Sequence, residues 1–244
     1  MSRPSALELM RSGGYNPSAG NPVPIELIYQ ANTISYEEYQ AEVEHQRILA
    51  HAAQNGRAMM DMEAEDEMLR ERAVKAGVPK RYLDFAIDLT RIHDLEVGRG
   101  IYICGVQGSH KTTTACSMLR GWLRDNRFGI ARFTRATSML NELKDSIGSR
   151  EPVESIMARY ASCDLLLVDD LGKEAATARE VSFLWELFDR RYGEKVPTIV
   201  TTQHRPNELA QHLGDGSCPE TALSIVSRFR ETYAVIDMGD NDLR

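Results

Sequence analysis

The chain has 244 residues, 42% of them hydrophobic, and a formal net charge of -7 at pH 7. This length has room for one sizeable core and an appendage, but hardly for two full domains. The negative charge argues against a protein coated in basic surface, although it permits a local nucleic-acid-binding stripe. The 4 cysteines lack C-x-x-C spacing, which indicates neither a zinc site nor a disulfide framework. No apolar run approaches membrane-spanning length and no secretory leader is recognisable, so we expect a cytoplasmic protein with no membrane partner.

The N-terminal part of the chain is predicted to be a flexible lead-in followed by a helical arm. Residues 1–24 are rich in Ser, Gly, Asn and Pro, which predicts little order beyond one short turn of helix at 6–11. Residues 25–76 have a helical, acidic pattern, with Ser35 ahead of Glu37 and Glu38 as a helix start signal. Such an arm is either a solvated helix face or a docking arm for a partner protein.

A break in the helical pattern marks the predicted domain boundary. Gly77 and Pro79 interrupt it, and a short helical lead is expected over 79–95. We therefore predict two parts: a lead-in and acidic partner-binding arm over 1–76, and a nucleotide-binding domain over 77–244.

A glycine-containing loop between a short strand and a helix is the central feature of the sequence. Residues 101–104 suit a buried strand, and helical spacing of apolar residues begins at about Thr112. The loop glycines let successive backbone N–H groups point at phosphate oxygens. Lys111 supplies a positive charge for the β- and γ-phosphates, and Thr112 supplies a hydroxyl for Mg²⁺. The predicted nucleotide-binding residues are Gly105, Val106, Gln107, Gly108, Ser109, His110, Lys111, Thr112 and Thr113.

His110 departs from the usual P-loop pattern, G-x-x-x-x-G-K-[ST], because it stands where the second glycine is expected. The loop tolerates His110 if the phosphate needs only its backbone N–H and the ring points away. Alternatively, its Cβ crowds the loop and weakens nucleotide binding, or its imidazole adds a donor to the phosphates. The lysine, the hydroxyl and the backbone donors are present in each case.

A second motif, which is acidic, follows the glycine-containing loop at the distance along the chain that is expected of a nucleoside triphosphatase. The apolar run 165–168 ends in Asp169 and Asp170, which predicts a buried parallel strand that delivers two carboxylates at its carboxyl end. Asp169 fits a Mg²⁺ ligand, direct or through water, and Asp170 fits the residue that orients or deprotonates the attacking water. The alternative is an ordinary Asp-Asp turn after a core strand.

Strands and helices alternate through the rest of the chain, which predicts an α/β fold with a parallel five-stranded sheet flanked by helices on both faces. The predicted strands are 101–104, 130–134, 165–168, 197–202 and 233–236. The predicted helices are 112–124, 137–147, 153–160, one capped by Thr177, 206–212 and 221–228. Thr201, Thr202 and Gln203 form a polar tail at the carboxyl end of the fourth strand, where ligands bind in such sheets.

Several motifs in this order resemble one group of P-loop proteins. GVQGSHKTT, LLLVDDLG, RRYGEKVPTIVTTQ and IVSRFRE are similar to the AAA+ ATPases of the DnaC/DnaI helicase-loader and IstB transposition-helper group. The resemblance covers about residues 76–244, and it implies a P-loop AAA+ fold that binds ATP and Mg²⁺. Only about eight residues follow the last predicted strand, so the full helical lid of many AAA+ proteins is not expected.

The resemblance also implies roles for single residues. Lys111 and Thr112 match the phosphate and Mg²⁺ residues, Asp169 the metal carboxylate and Asp170 the catalytic carboxylate. Gln203 falls at the sensor position, where the group usually has Asn. Arg228 matches the arginine finger, which would enter the site of a neighbouring subunit and would require self-association. Alternatively, Arg228 is a helix-end arginine paired with a local carboxylate.

The function that the resemblance implies first is an ATP-dependent loader of a replicative DnaB-type helicase onto single-stranded DNA, from a bacterium or phage. Arg132, Arg135 and Lys144 are candidates for contacts with DNA phosphates, or they are plain surface residues. One alternative is an IstB-like transposition helper, which would bind duplex DNA and a transposase. Another is an ATP-binding scaffold with weak hydrolysis, in which His110 and Gln203 reflect relaxed catalytic demands.

Overall fold

The computed structural model describes seven ranges of the chain: 33–35, 37–38, 40–46, 59–146, 152–173, 175–213 and 218–239. The predicted lead-in over 1–24, with its short turn of helix at 6–11, lies outside these residues. So do residues 240–244, which follow the last strand.

Six parallel strands form one sheet in the order β1-β6-β2-β5-β4-β3. The strands are β1 Thr33–Ser35, β2 Gly100–Cys104, β3 Ala131–Arg135, β4 Leu165–Leu171, β5 Thr198–Thr202 and β6 Tyr233–Asp237. The five strands predicted from the sequence are β2 to β6, so the α/β fold with a parallel five-stranded sheet is confirmed. Strands β2 and β5 are buried along their whole length, as expected of central strands covered on both faces.

Strand β1 is an addition to the predicted sheet and corrects the prediction of a helical pattern throughout 25–76. It pairs with β6, with Thr33 opposite Val235 and Ser35 opposite Asp237. The physical reason is that β6 would otherwise be an edge strand with unpaired backbone groups, and Thr-Ile-Ser suits a strand. The predicted helix start is confirmed just after it, because Ser35 N–H donates to Glu38 Oε2 (2.9 Å) and Glu38 N–H donates to Ser35 Oγ (3.3 Å).

Eight further helices surround the sheet in the described ranges, besides the helical residues 37–38 and 40–46. They are α1 Met59–Lys75, α2 Ile92–Glu96, α3 Lys111–Asp125, α4 Ala136–Asp145, α5 Val153–Ala161, α6 Ala178–Gly193, α7 Pro206–His212 and α8 Pro219–Thr232. The helices predicted after the P-loop are all present, with ends shifted by a few residues. In these described ranges no helix is both long and apolar enough to traverse a bilayer.

The helical lead predicted over 79–95 is only partly helical. It contains a single 3-10 turn at Lys80–Tyr82 and the short helix α2. Between them, Asp88 accepts hydrogen bonds from the Thr90 N–H (2.9 Å) and the Thr90 hydroxyl (2.8 Å). A side chain that bonds to the backbone nearby offers it an alternative to the helix, which explains the interruption.

Helices cover both faces of the sheet. In β2, Tyr102 and Cys104 pack with α4 to α8 on one face, whereas Ile101 and Ile103 pack with α1 to α3 on the other. This alternation follows from the two-residue period of a strand. The sheet is therefore buried between two hydrophobic layers, and only its edges and strand ends are open to ligands.

Helix α1, the end of the predicted arm, packs on the sheet layer that contains α3. Leu69, Ala73 and Ala76 are buried in the same core layer as α3. The Arg72 guanidinium donates to Leu123 O and Asn126 O (2.7 Å) at the C-terminal end of α3, and to Gly129 O (3.1 Å) in the loop that follows. A cation there satisfies carbonyls that have no partner within the helix. The boundary between a partner-binding arm and a nucleotide-binding domain at residues 76 and 77 therefore stays a prediction. In the structure, α1 belongs to the packed core.

Candidate nucleotide-binding site

The predicted site residues other than Arg228 lie at the carboxyl ends of three neighbouring strands. Residues 105–110 follow β2, Asp169 and Asp170 lie just before the last residue of β4, and Gln203 follows β5. Because β2, β5 and β4 are adjacent and parallel, these ends meet at one edge of the sheet. The structure therefore brings the loop and the acidic motif together.

The loop after β2 is closed by its own hydrogen bonds. Gly105 has φ 148°, and a Cβ there would lie 2.9 Å from Met238 Cβ and 3.0 Å from Ser109 Oγ. The buried Ser109 hydroxyl donates to Val106 O at 2.8 Å. Gly108, with φ 90°, is the second position that a residue with a side chain would strain. The tight turn therefore depends on glycine at 105 and 108.

Lys111 begins α3 with its ammonium directed into this loop. The residue is only 6% exposed, and its Nζ donates to Val106 O at 2.6 Å and to Ser109 Oγ at 3.4 Å. Burial lowers the pKa of the Lys111 ammonium, while Asp170 and Asp169 act in the opposite direction. A buried cation held by loop oxygens is suited to exchange these contacts for phosphate oxygens.

Thr112 and Asp169 join the loop to the acidic strand. The Thr112 hydroxyl donates to Asp169 Oδ1 at 2.7 Å, and the Asp169 carboxylate is 3% exposed. Burial raises the pKa of the Asp169 carboxyl, and hydrogen bonds from Thr201 and Thr112 counter part of that rise. One hydroxyl and one buried carboxylate, all oxygen donors, fit a Mg²⁺ ion that keeps several waters and shares phosphate oxygens. The described residues contain no cluster of three or more His, Cys, Asp or Glu for a metal held by protein alone.

Replacing Asp169 with Asn is expected to stabilise the nucleotide-free protein against unfolding by roughly 1 kcal/mol, because a charge kept for function often lowers stability. Asn keeps an oxygen acceptor for the two hydroxyls but removes a buried charge. Because the pKa of Asp169 is raised above its ordinary value of 3.8, the folded protein loses stability as pH rises and the carboxyl ionises. The gain of the variant should therefore be absent in acid and grow as pH increases past this value. Thermal melting at several pH values measures it, and a gain that is constant with pH would contradict the explanation.

Asp170 lies beside Asp169 in an unusual backbone conformation. Its φ is 58°, and the pairing of β4 with β5 shifts register between Val168 and Leu171. The carboxylate is partly exposed, with Lys173 Nζ 3.6 Å away. Successive strand residues normally point to opposite faces, so the irregularity allows both aspartates to serve one site.

His110 has the left-handed conformation that the missing glycine would favour. Its φ is 60° and its side chain is exposed. The loop has therefore kept its shape with histidine at this position, and the three alternatives for its effect on nucleotide binding stay predictions.

Replacing His110 with Gly should relieve backbone strain and raise the free energy of unfolding by roughly 1 kcal/mol, the cost of a left-handed residue with a Cβ. Chemical denaturation of both proteins measures the difference. The matched control is Gln107→Gly in the same exposed loop, where φ is not positive and the glycine should destabilise. Equal effects of both changes would contradict the strain explanation.

Arg228 is far from the loop of its own chain. It lies on α8, close to the start of β6, whereas the loop lies at the opposite ends of the strands. Its Nε donates to Asp189 Oδ1 at 3.0 Å, and its guanidinium is 5.6 Å from the Trp185 ring. The predicted alternative of a local ion pair is thus observed in the single chain, and the role as an arginine finger stays a prediction about an assembly.

Thr201 contacts the site in the structure, although no role for it was predicted from the sequence. Its side chain is fully buried on β5, and its hydroxyl donates to Asp169 Oδ1 at 2.7 Å. The available signal was the polar tail of an otherwise apolar strand, which also contains Thr202 and ends before Gln203. Gln203 itself is exposed just after β5.

Comparison with known proteins agrees with this geometry. The sequence model of the family described as IstB-like ATP binding protein matches residues 31–244. The chain belongs to this family. An ATP-binding protein in an insertion sequence of Mycobacterium tuberculosis is 28% identical over 120 residues, which are 49% of this chain and 47% of that protein. The chain thus aligns with about half the length of this curated relative.

Solved structures similar to this IstB-like protein show the same fold. The DnaC helicase loader has a TM-score of 0.53 at 21% identity, covering 65% of this chain and 99% of that one. DnaI has a TM-score of 0.54 at 19% identity, covering 68% and 94%. Domain III of the Thermotoga maritima replication initiation protein DnaA has a TM-score of 0.51 at 20% identity, covering 64% and 65%. The predicted resemblance to the IstB and DnaC/DnaI group is confirmed.

Proposed function

We propose that this IstB-like protein hydrolyses ATP to ADP and phosphate at the P-loop. The observation that supports this most directly is the 2.7 Å hydrogen bond from Thr112 to Asp169, which joins the phosphate-binding helix to the acidic strand. Lys111 and the loop N–H groups would bind the β- and γ-phosphates. Thr112 and Asp169 would hold Mg²⁺, which when bound neutralises charge on the phosphates.

Asp170 and Gln203 are the proposed residues for the attacking water. The Asp170 carboxylate would accept a hydrogen bond or a proton from it, and the Gln203 amide would contact the water or the γ-phosphate. Both lie at the carboxyl end of the sheet, next to the loop. In an assembly, Arg228 would leave Asp189 and reach the phosphates bound to a neighbouring subunit.

The hydrolysis is proposed to drive the loading of a replicative DnaB-type helicase onto single-stranded DNA. Support comes from the fold shared with DnaC and DnaI, and from the acidic composition of residues 25–76, which suits contact with a partner protein. Arg135 is exposed at the carboxyl end of β3 and is the best placed of the three basic candidates for DNA. The other two candidates already contact groups of their own chain. Lys144 forms an ion pair with Glu180 (3.0 Å), and the Arg132 guanidinium lies 5.8 Å from the centre of the Tyr160 ring.

A transposition helper is the second candidate, because the curated relative comes from an insertion sequence and the family model is IstB-like. Such a protein would use the same ATP site with duplex DNA and a transposase. The choice between the two candidates depends on partners and not on the chemistry of the site.

The test measures ATP turnover of the native protein and of Asp170→Asn, alone and with single-stranded DNA, duplex DNA or a DnaB-type helicase. We expect turnover that single strands and helicase increase, and a decrease of about 100-fold in Asp170→Asn, the usual contribution of a general base. Stimulation by duplex DNA alone would favour the transposition helper. ATP binding without turnover under every condition would overturn the proposal in favour of a scaffold.

A further inference from the structure

One buried hydroxyl contacts both aspartates of the proposed site. Thr201 is 0% exposed on β5, next to β4 in the sheet. Its Oγ1 lies 2.7 Å from Asp169 Oδ1 and 2.9 Å from the backbone N of Asp170. The roles proposed above for Asp169 and Asp170 differ, so a group that bonds to both can determine their relative position.

The direction of these two hydrogen bonds is fixed by chemistry. A backbone N–H can only donate, so Thr201 Oγ1 accepts from Asp170 and its single hydrogen is left for the Asp169 carboxylate. Thr112 donates to the same oxygen, Oδ1, from α3. Asp169 is therefore oriented from two sides, by a hydroxyl of the phosphate-binding helix and by a hydroxyl of the neighbouring strand.

The sheet is irregular at this point, and Thr201 faces the irregularity. Val168 pairs with Val200, and the next pair is Leu171 with Thr202. Two residues of β4, the aspartates, thus stand opposite the single residue Thr201 of β5, which is the arrangement of a β-bulge. Bulges redirect side chains next to active sites, and this one gives Asp170 a φ of 58°.

A left-handed conformation at a residue with a Cβ persists only when its surroundings hold it. The hydrogen bond from the Asp170 N–H to Thr201 is a specific contact that does so. Valine at 201 would have nearly the same shape but would remove the acceptor for this N–H and one donor to Asp169. Serine would keep both hydrogen bonds.

We propose that Thr201 is a positioning residue for ATP hydrolysis, whose hydroxyl orients the Asp169 carboxylate and holds the bulge that aims Asp170 at the attacking water. This inference rests on the proposed function, because it concerns the rate of that reaction. It adds a residue outside the P-loop, the acidic motif and Gln203.

The experiment compares steady-state ATP hydrolysis of the native full chain with that of Thr201→Val and Thr201→Ser. In Thr201→Val we expect kcat to fall by about 10- to 100-fold, as for residues that orient metal-site ligands, with KM for ATP nearly unchanged. Thr201→Ser should recover a kcat close to native. In the Asp170→Asn background, Thr201→Val should have a much smaller effect, because the carboxylate that it aims is already absent.

Thr198→Val is the matched control. Thr198 is on the same strand and is 1% exposed, but its hydroxyl accepts from Arg191 Nε at 2.8 Å at the other end of β5. The Thr198→Val protein should be less stable against unfolding but should hydrolyse ATP with a native kcat. Thermal melting of each variant separates the two effects, and Thr201→Ala replaces Thr201→Val if the valine variant does not fold.

Each outcome addresses one claim. No turnover by the native protein would overturn the proposed function and this inference with it. Turnover by the native protein with native kcat in the hydroxyl-free variant would overturn the inference alone. A loss of kcat that serine does not recover, or that Thr198→Val reproduces, would assign Thr201 a structural role and would also overturn it.

Discussion

Replacing Lys111 with Ala is expected to weaken ATP binding by about 100-fold or more, because a charge-assisted contact with phosphate in a partly buried site has no substitute. The Lys111 Nζ is held inside the loop by Val106 O at 2.6 Å, so the native protein has already placed this charge before nucleotide binds. Removing the side chain deletes the cation that donates to the Val106 carbonyl of this loop.

Calorimetry with Mg-ATP and Mg-ADP measures the effect on the native protein, Lys111→Ala and His110→Gly. The His110 variant is the control, since it changes the adjacent residue and should retain binding while the lysine variant loses it. Equal affinity of the native protein and Lys111→Ala would contradict the site. Binding by His110→Gly and not by the native protein would instead show that His110 disables the loop, which favours the scaffold.

Replacing Arg191 with Met is expected to lower the free energy of unfolding by about 4 kcal/mol, since several buried acceptors would lose their donor. Arg191 is 1% exposed on α6, and its guanidinium links the end of α5 to the start of β5. Its acceptors are Thr198 Oγ1 (2.8 Å), Tyr160 O (3.1 Å), Ala161 O (3.1 Å), Cys163 O (2.7 Å) and Pro197 O (2.5 Å). Met retains much of the apolar stem, so the loss reports mainly on these hydrogen bonds.

Chemical denaturation measures this loss, with Arg190→Met as the neighbouring control. Arg190 is the preceding residue of the same helix, and its guanidinium forms ion pairs with Glu154 and Glu186 at the protein surface. Surface ion pairs contribute little because water competes for both charges, so the control should remain close to the native protein. Similar losses at both positions would show that helix α6 tolerates neither change, and the buried network would not be the cause.

The turn after β2 and the acidic strand could be predicted because their signals are local. Glycines at 105 and 108, followed by Lys111 and Thr112, specify a turn and a helix start within a few residues. The apolar run before Asp169 specifies a buried strand in the same way. Thr177 predicted a helix start, and its hydroxyl indeed accepts from the Glu180 N–H at 3.4 Å.

Other features could not be predicted because they depend on which elements become neighbours. Thr33–Ser35 becomes a strand only because β6 offers it an unpaired edge. Arg72 looks like one more charge on a helix until α1 meets the end of α3. An ion pair of Arg228 was one predicted alternative, but its partner, Asp189, comes from another helix and could not be named from the sequence.

The sequence by itself determined the chain order of strands β2 to β6 and of the helices between them, and the glycine-containing turn that leads into α3. These depend on the two-residue period of strands, the 3.6-residue period of helices and the backbone freedom of glycine, which act over short stretches of chain. Only the tertiary structure decided that Thr201 faces two aspartates across a bulge and that Arg191 bonds to carbonyls of other elements. The reason is that hydrogen bonds between distant segments depend on strand register and helix packing, and neither is encoded in any short stretch of residues.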